Sequence, residues 1–118
     1  MNVLSYFKPK NELKDKINFL IKYHHLEHYS VFLGLSYIQY CKNINHSNLY
    51  NYTLCAIILA NKYLNDYDYN IVDITSCVDI QIKDYIKIEI EILTCLNWDL
   101  STLDNEIINK YSKLIKGW

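Results

Sequence analysis

The sequence predicts an all-α fold, a five-helix bundle in one domain with an amphipathic segment trailing behind it. Three observations predict it. Between Leu49 and Leu64 apolar side chains point in every direction of a helical wheel, as the central rod of a bundle requires. The stretches around it sort apolar from polar residues at helical spacing, so each has a face to lay against that rod. A chain of 118 residues, 51% hydrophobic, is long enough for one core without metal or disulfide staples and too short for a second.

The elements follow in order. After Pro9, the only proline, Leu13, Ile17, Leu20 and Ile21 mark a first helix at about 11–23. A short polar junction, HHLEH, leads to a second, mostly apolar helix over Tyr29 to Cys41, and NINHSN has turn chemistry with Ser47 as candidate N-cap. The central helix runs from Leu49 to Leu64, and NDYDYN ends it. A short helix spans Ile71 to Cys77, and Asp79 is placed to cap a fifth at about 81–97. Ser101 or Thr102 opens the trailing segment, about 102–116, with Leu103, Ile107, Ile108, Tyr111 and Leu114 on one side.

One segment carries a competing pattern. Ile86 to Ile92, IKIEIEI, alternates apolar and charged residues as an amphipathic strand would. The helical sorting nevertheless extends from Ile82 to Leu96 with no turn signal inside it, which favours helix. On that wheel Ile82, Tyr85, Ile86, Ile88, Ile90, Ile92, Leu93, Cys95 and Leu96 fill a broad arc expected to be buried. Glu89 alone interrupts it. A carboxylate on a burial face needs a charged or hydrogen-bonded partner. Lys62, twenty-seven residues earlier at the end of the central helix, is one candidate, and a group on another protein is the other. Taken alone, Lys62 is most simply a C-terminal lysine complementing the helix dipole.

Composition narrows the function classes. The formal charge is −1 and all twelve basic residues are lysine. Without arginine there are no bidentate readers of guanine or phosphate, so nucleic acid is not the expected partner. The longest wholly apolar run, Leu54 to Ala60, is too short to span a bilayer, and MNVLSYFKPK lacks a signal peptide's apolar stretch. These features predict a soluble intracellular protein, cytoplasmic or nuclear, with no membrane partner. Cys41, Cys55, Cys77 and Cys95 are scattered through apolar runs without a C-x-x-C, and read as reduced core residues. His24, His25 and His28 invite a zinc reading, but Glu27 is the only acidic neighbour and no cysteine completes a ligand set. No metal or other cofactor is expected. With two glycines and no nucleophile beside a base, the sequence carries no phosphate loop and no hydrolase signature, so it does not read as an enzyme. Plentiful Asn, Ile, Lys and Tyr with no Arg is the composition of an AT-rich genome, such as a large DNA virus or a protist parasite.

Two blocks carry a family pattern: LCAIILANKYLND (Leu54 to Asp66) with Asn70, and IKIEIEILTCLNWDL (Ile86 to Leu100). They resemble the cyclin box, in which a buried helix ends in a small-polar-Lys signature and a later helix carries an apolar-Glu step. Ala60-Asn61-Lys62, Ile88-Glu89, Leu93, Leu96, Trp98 and Leu100 fall in register with it. The compactness and the ND-x-x-x-N run look most like the single-box branch, Pho-type and cyclin Y-like. Two positions depart from the pattern: Gln39-Tyr40 stands where the family usually has Asp-Arg, and Lys14 or Lys16 where it has an arginine early in the first helix.

The resemblance implies a regulatory subunit that binds and activates a cyclin-dependent protein kinase by engaging its C-helix, a monomer when free. It implies that Lys62 and Glu89 hydrogen-bond the kinase, and that Leu59, Tyr63, Leu93, Trp98 and Leu100 form a pocket for its aliphatic anchor. The alternative is an all-helical viral adaptor or antagonist that does not activate a kinase, either a kinase decoy or an apoptosis-type binder with a groove for an amphipathic helix.

Overall fold

A computed structural model describes residues 12–23, 26, 28–41, 44, 45, 47–64, 71–101, 109 and 113. Among the described residues, five bounded helices run in the order α1 (Glu12–Tyr23), α2 (His28–Gln39), α3 (Leu49–Leu64), α4 (Ile71–Cys77) and α5 (Ile82–Cys95). The all-α expectation holds, and IKIEIEI lies wholly within α5. Of the trailing segment, Asn109 and Lys113 are helical and the rest lies outside the described residues.

α3 is the rod. Every residue from Thr53 through Asn61 is buried, because the other helices pack around it on all sides. α2 lies antiparallel against it: Ser30 Oγ donates to Asn61 Oδ1 at 2.8 Å near one end, and Gly34 meets Ile57 a turn further along. A Cβ on Gly34 would sit 2.5 Å from Ile57 Cα and 2.7 Å from Ile57 N, so the two backbones approach too closely for any side chain there. Both Ser30 and Asn61 are fully buried, and their hydrogen bond fixes the register of the pair. Replacing Asn61 by alanine should cost about 2 kcal/mol, because the Ser30 hydroxyl loses its buried acceptor, and adding Ser30→Ala should recover part of that loss. Urea denaturation of the two variants checks it; additive losses would mean the bond is not what Asn61 contributes.

Two expected caps are corrected. The turn into α3 is held by Asn45 and not by Ser47: Asn45 Oδ1 accepts from Ser47 N (2.9 Å), Ser47 Oγ (2.6 Å) and Asn48 N (3.2 Å), while Asn48 Oδ1 accepts from Asn45 N at 2.8 Å. Asp79 does not cap α5, whose N-cap is Gln81. Asp79 instead ends α4 in the left-handed conformation (φ 60°), with Asp79 N donating to Ser76 O and Ile80 N to Thr75 O. That double closure satisfies carbonyls the helix would otherwise leave open. Lys16 of α1 adds to it, donating to Cys77 O at 3.4 Å and lying 3.8 Å from the Asp79 carboxylate. Lys16, one of the two lysines matched to the family's arginine, thus serves the α4–α5 corner. Gln39 and Tyr40, at the other departure from the pattern, are exposed.

Candidate functional site

The end of α3 and the face of α5 bring Lys62 and Glu89 together. Lys62 Nζ lies 3.5 Å from each oxygen of the Glu89 carboxylate, so the fold itself supplies the partner that Glu89 requires. The pair is loose and reachable: its side chains remain 33% and 22% exposed. The Lys62 ammonium also stands 5.9 Å from the ring centre of Tyr85, a buried residue one turn before Glu89, and so gains a cation–π contact on its inner side. Burial first, and then the nearby Glu89 and Asp84 carboxylates, push the Cys55 thiol up to about 12.

Trp98 and Leu100 are set by the way α5 stops. Leu96 closes the helix, Asn97 N donates to Thr94 O at 3.1 Å, and Trp98 N donates to Leu93 O at 2.8 Å. This is a double closure of the same kind as at the end of α4, and it requires a left-handed residue after the cap. Asn97 (φ 52°) adopts that conformation at low cost, but Trp98 (φ 62°) follows it there, where bulky residues rarely go. The reversal leaves Trp98 63% exposed. Strain of this kind persists only where the surroundings enforce it, and here it puts a large aromatic on the surface. Tyr37 anchors the chain two residues further on, donating from its hydroxyl to Leu100 O at 2.7 Å. Burial raises the Tyr37 hydroxyl above its ordinary range, and Tyr63, Asp99 and Tyr29 raise it further.

The residues named from the sequence therefore fall into three groups. Lys62 and Glu89 pair with each other. Leu59 and Leu93 belong to the core, with Leu100 packed against it. Tyr63 and Trp98 stand exposed. The buried arc expected on α5 is corrected: Tyr85, Ile88, Ile92, Leu93 and Leu96 are buried, whereas Ile82, Ile86 and Ile90 are exposed. They recur every four residues, forming an apolar row beside Glu89 that the sequence reading took for core. A wheel shows which residues share a face but not how wide the burying contact is. The expectation for the cysteines is corrected in the same way, since only Cys55 is buried, Cys41 and Cys77 are half-buried, and Cys95 is exposed. Tyr52, which the wheel put in the core, hydrogen-bonds through its hydroxyl to the Glu91 carboxylate. In the HHLEH junction His28 is exposed and Leu26 buried, and the zinc reading of His24, His25 and Glu27 falls outside the described residues.

The domain is all-α and carries a part-exposed ion pair with exposed apolar side chains on the same helices. The family model for the cyclin N-terminal domain matches residues 7–101, and the chain belongs to the cyclin family, whose members are regulatory and not catalytic. Neither the curated proteins nor the solved structures gave a match.

Proposed function

We propose that the protein is a regulatory subunit of a cyclin-dependent protein kinase, itself without catalytic activity, that binds through Lys62, Glu89, Leu59, Tyr63, Leu93, Trp98 and Leu100. The observation that carries the reading is the loose, part-exposed Lys62–Glu89 pair, on helices that also expose Tyr63, Ile82, Ile86 and Ile90. One cation and one anion inside an apolar field can each trade a long internal contact for a shorter one to a partner's backbone or side chain. Ile82, Ile86 and Ile90 extend the field along α5, which suits a helix laid across it. Kinase activation needs a lysine–glutamate pair inside the kinase, closed when its C-helix is pushed inward, and a rigid helical face supplies that push. In this reading residues 1–118 form a single cyclin box of the single-box type with a trailing helix, a monomer when free, and neither nucleic acid nor membrane is a partner.

Lys62→Ala or Glu89→Ala should weaken kinase capture by about 2 kcal/mol or more, and Trp98→Ala by a similar amount. Fold stability should change by only about 1 kcal/mol, because the pair is long and part-exposed. Kinase pull-downs paired with thermal melts on the three variants test both statements. If all three fold normally and capture the kinase as the parent does, the proposed surface is wrong. If the parent captures no cyclin-dependent kinase, the adaptor reading replaces this one.

A further inference from the structure

Beside the C-terminal half of α5 lies a cavity of about 530 Å³, walled by Cys41, Ile44, Asn48, Tyr52, Ile90, Glu91, Thr94 and Cys95. Two of the four cysteines therefore line one cavity, although fifty-four positions separate them in sequence. Cys95 is the last residue of α5 and exposed; Cys41 follows α2, half-buried, with its sulfur 3.8 Å from Tyr37 O. The Cys95 thiol is near enough to help raise the Cys41 thiol. Two thiols so placed, one open to solvent and one sheltered behind it, have the arrangement of an attacking and a resolving cysteine.

We propose that Cys41 and Cys95 form a peroxide-responsive thiol pair, whose oxidation to an intramolecular disulfide latches the end of α5 to the end of α2. Cys95 takes the first step because it is the accessible sulfur. Its thiolate attacks one oxygen of hydrogen peroxide, the O–O bond breaks, and the departing hydroxide takes up the proton released by the thiol and leaves as water. Cys95 is then a sulfenic acid. The Cys41 sulfur attacks the Cys95 sulfur, the S–S bond forms and the S–O bond breaks, and the Cys41 proton leaves with that hydroxyl as a second water. Two thiols and one peroxide thus give one disulfide and two waters. Cys41 is unsuited to the first step: burial, then the neighbouring Cys95 thiol and the Glu91 carboxylate, push its thiol up to about 12, so it stays protonated until an electrophilic sulfur is beside it. The latch closes on the segment that carries the Trp98 turn, and its chemistry is independent of kinase binding.

Reduced full-length protein treated with a small excess of hydrogen peroxide, followed by thiol titration and non-reducing peptide mapping, tests the proposal. The four titratable thiols should fall by two, the map should show the peptides of Cys41 and Cys95 joined within one molecule, and Cys77→Ser should leave the result unchanged. Oxidation should raise the Tm by on the order of 10 °C, reversed by dithiothreitol, since the bridge closes a long loop. Cys95→Ser should abolish both effects. Conversion of Cys95 to sulfinic acid with Cys41 still free, a bridge only between molecules, or an oxidised protein that melts where the reduced one does would each overturn it.

Discussion

Gly34→Ala should destabilise the protein by about 3 kcal/mol and lower its Tm by roughly 10 °C, although alanine is the better helix former. Propensity alone would reward the change by about 1 kcal/mol. Contact reverses the sign. The added methyl would meet Ile57 Cα at 2.5 Å, Ile57 N at 2.7 Å and Ile57 Cγ1 at 2.8 Å. Two of those three atoms are backbone, so no rotamer change relieves them, and α2 must move away from α3 along the packing that holds the domain together. Trimming the neighbour is accordingly no remedy: Gly34→Ala with Ile57→Ala should be less stable than either single variant. Urea denaturation decides it. A double variant as stable as Ile57→Ala alone would mean that the side chain, and not the backbone, sets the crossing distance.

Stability should also fall steeply in mild alkali, with Cys55 as a principal cause. Its thiol is fully buried and its proton is held up to about 12, against an ordinary value of 9.0. Below pH 9 the folded and unfolded chains both keep the proton and the group makes no difference to the slope. Above it only the unfolded chain releases the proton, so each pH unit costs the folded state about 1.4 kcal/mol until the folded thiol itself ionises near 12. By about pH 11 the loss amounts to roughly 3 kcal/mol. Tyr37, whose hydroxyl is likewise raised by burial, adds to the decline above its ordinary 10.0. Under reducing conditions, Cys55→Ala should start lower at neutral pH by about 1 kcal/mol and then decline less steeply with pH than the parent. Parallel curves would remove Cys55 from the account.

Much of this was legible in the residues. Leu49 and Leu64 bound α3 as expected, because an apolar wheel with no solvent side leaves one place for a helix in so small a domain, and Ile71 and Cys77 bound α4 as expected. The Lys62–Glu89 contact was foreseen as one of two options because a carboxylate on an apolar arc must be answered. What escaped the reading depends on geometry that no local pattern encodes. Ile82, Ile86 and Ile90 look like core in a wheel and become surface only because the contact of α5 with the bundle is narrower than its apolar arc. Asp79 and Ser47 have the composition of N-caps, yet the chain uses Asp79 to finish the preceding helix and gives the turn before α3 to Asn45. Ser30 and Asn61 are polar residues in two apolar helices, and only the crossing of those helices reveals that they were matched to each other.

In the proposed reading, the self-satisfied state of Lys62 and Glu89 bears on how fast, as well as how tightly, a kinase would be captured. Because the two charges lie together, they form a compact dipole whose field decays within a few ångströms of the surface, on a chain whose net charge is only −1. This pair would not draw an approaching kinase in from a distance, and the proposed encounter is expected to proceed near the unassisted diffusional rate, with little dependence on salt. Selectivity is then exercised after collision, in the dwell time of the complex, when a partner with the right donors and acceptors takes over both ends of the dipole and one without them drifts off.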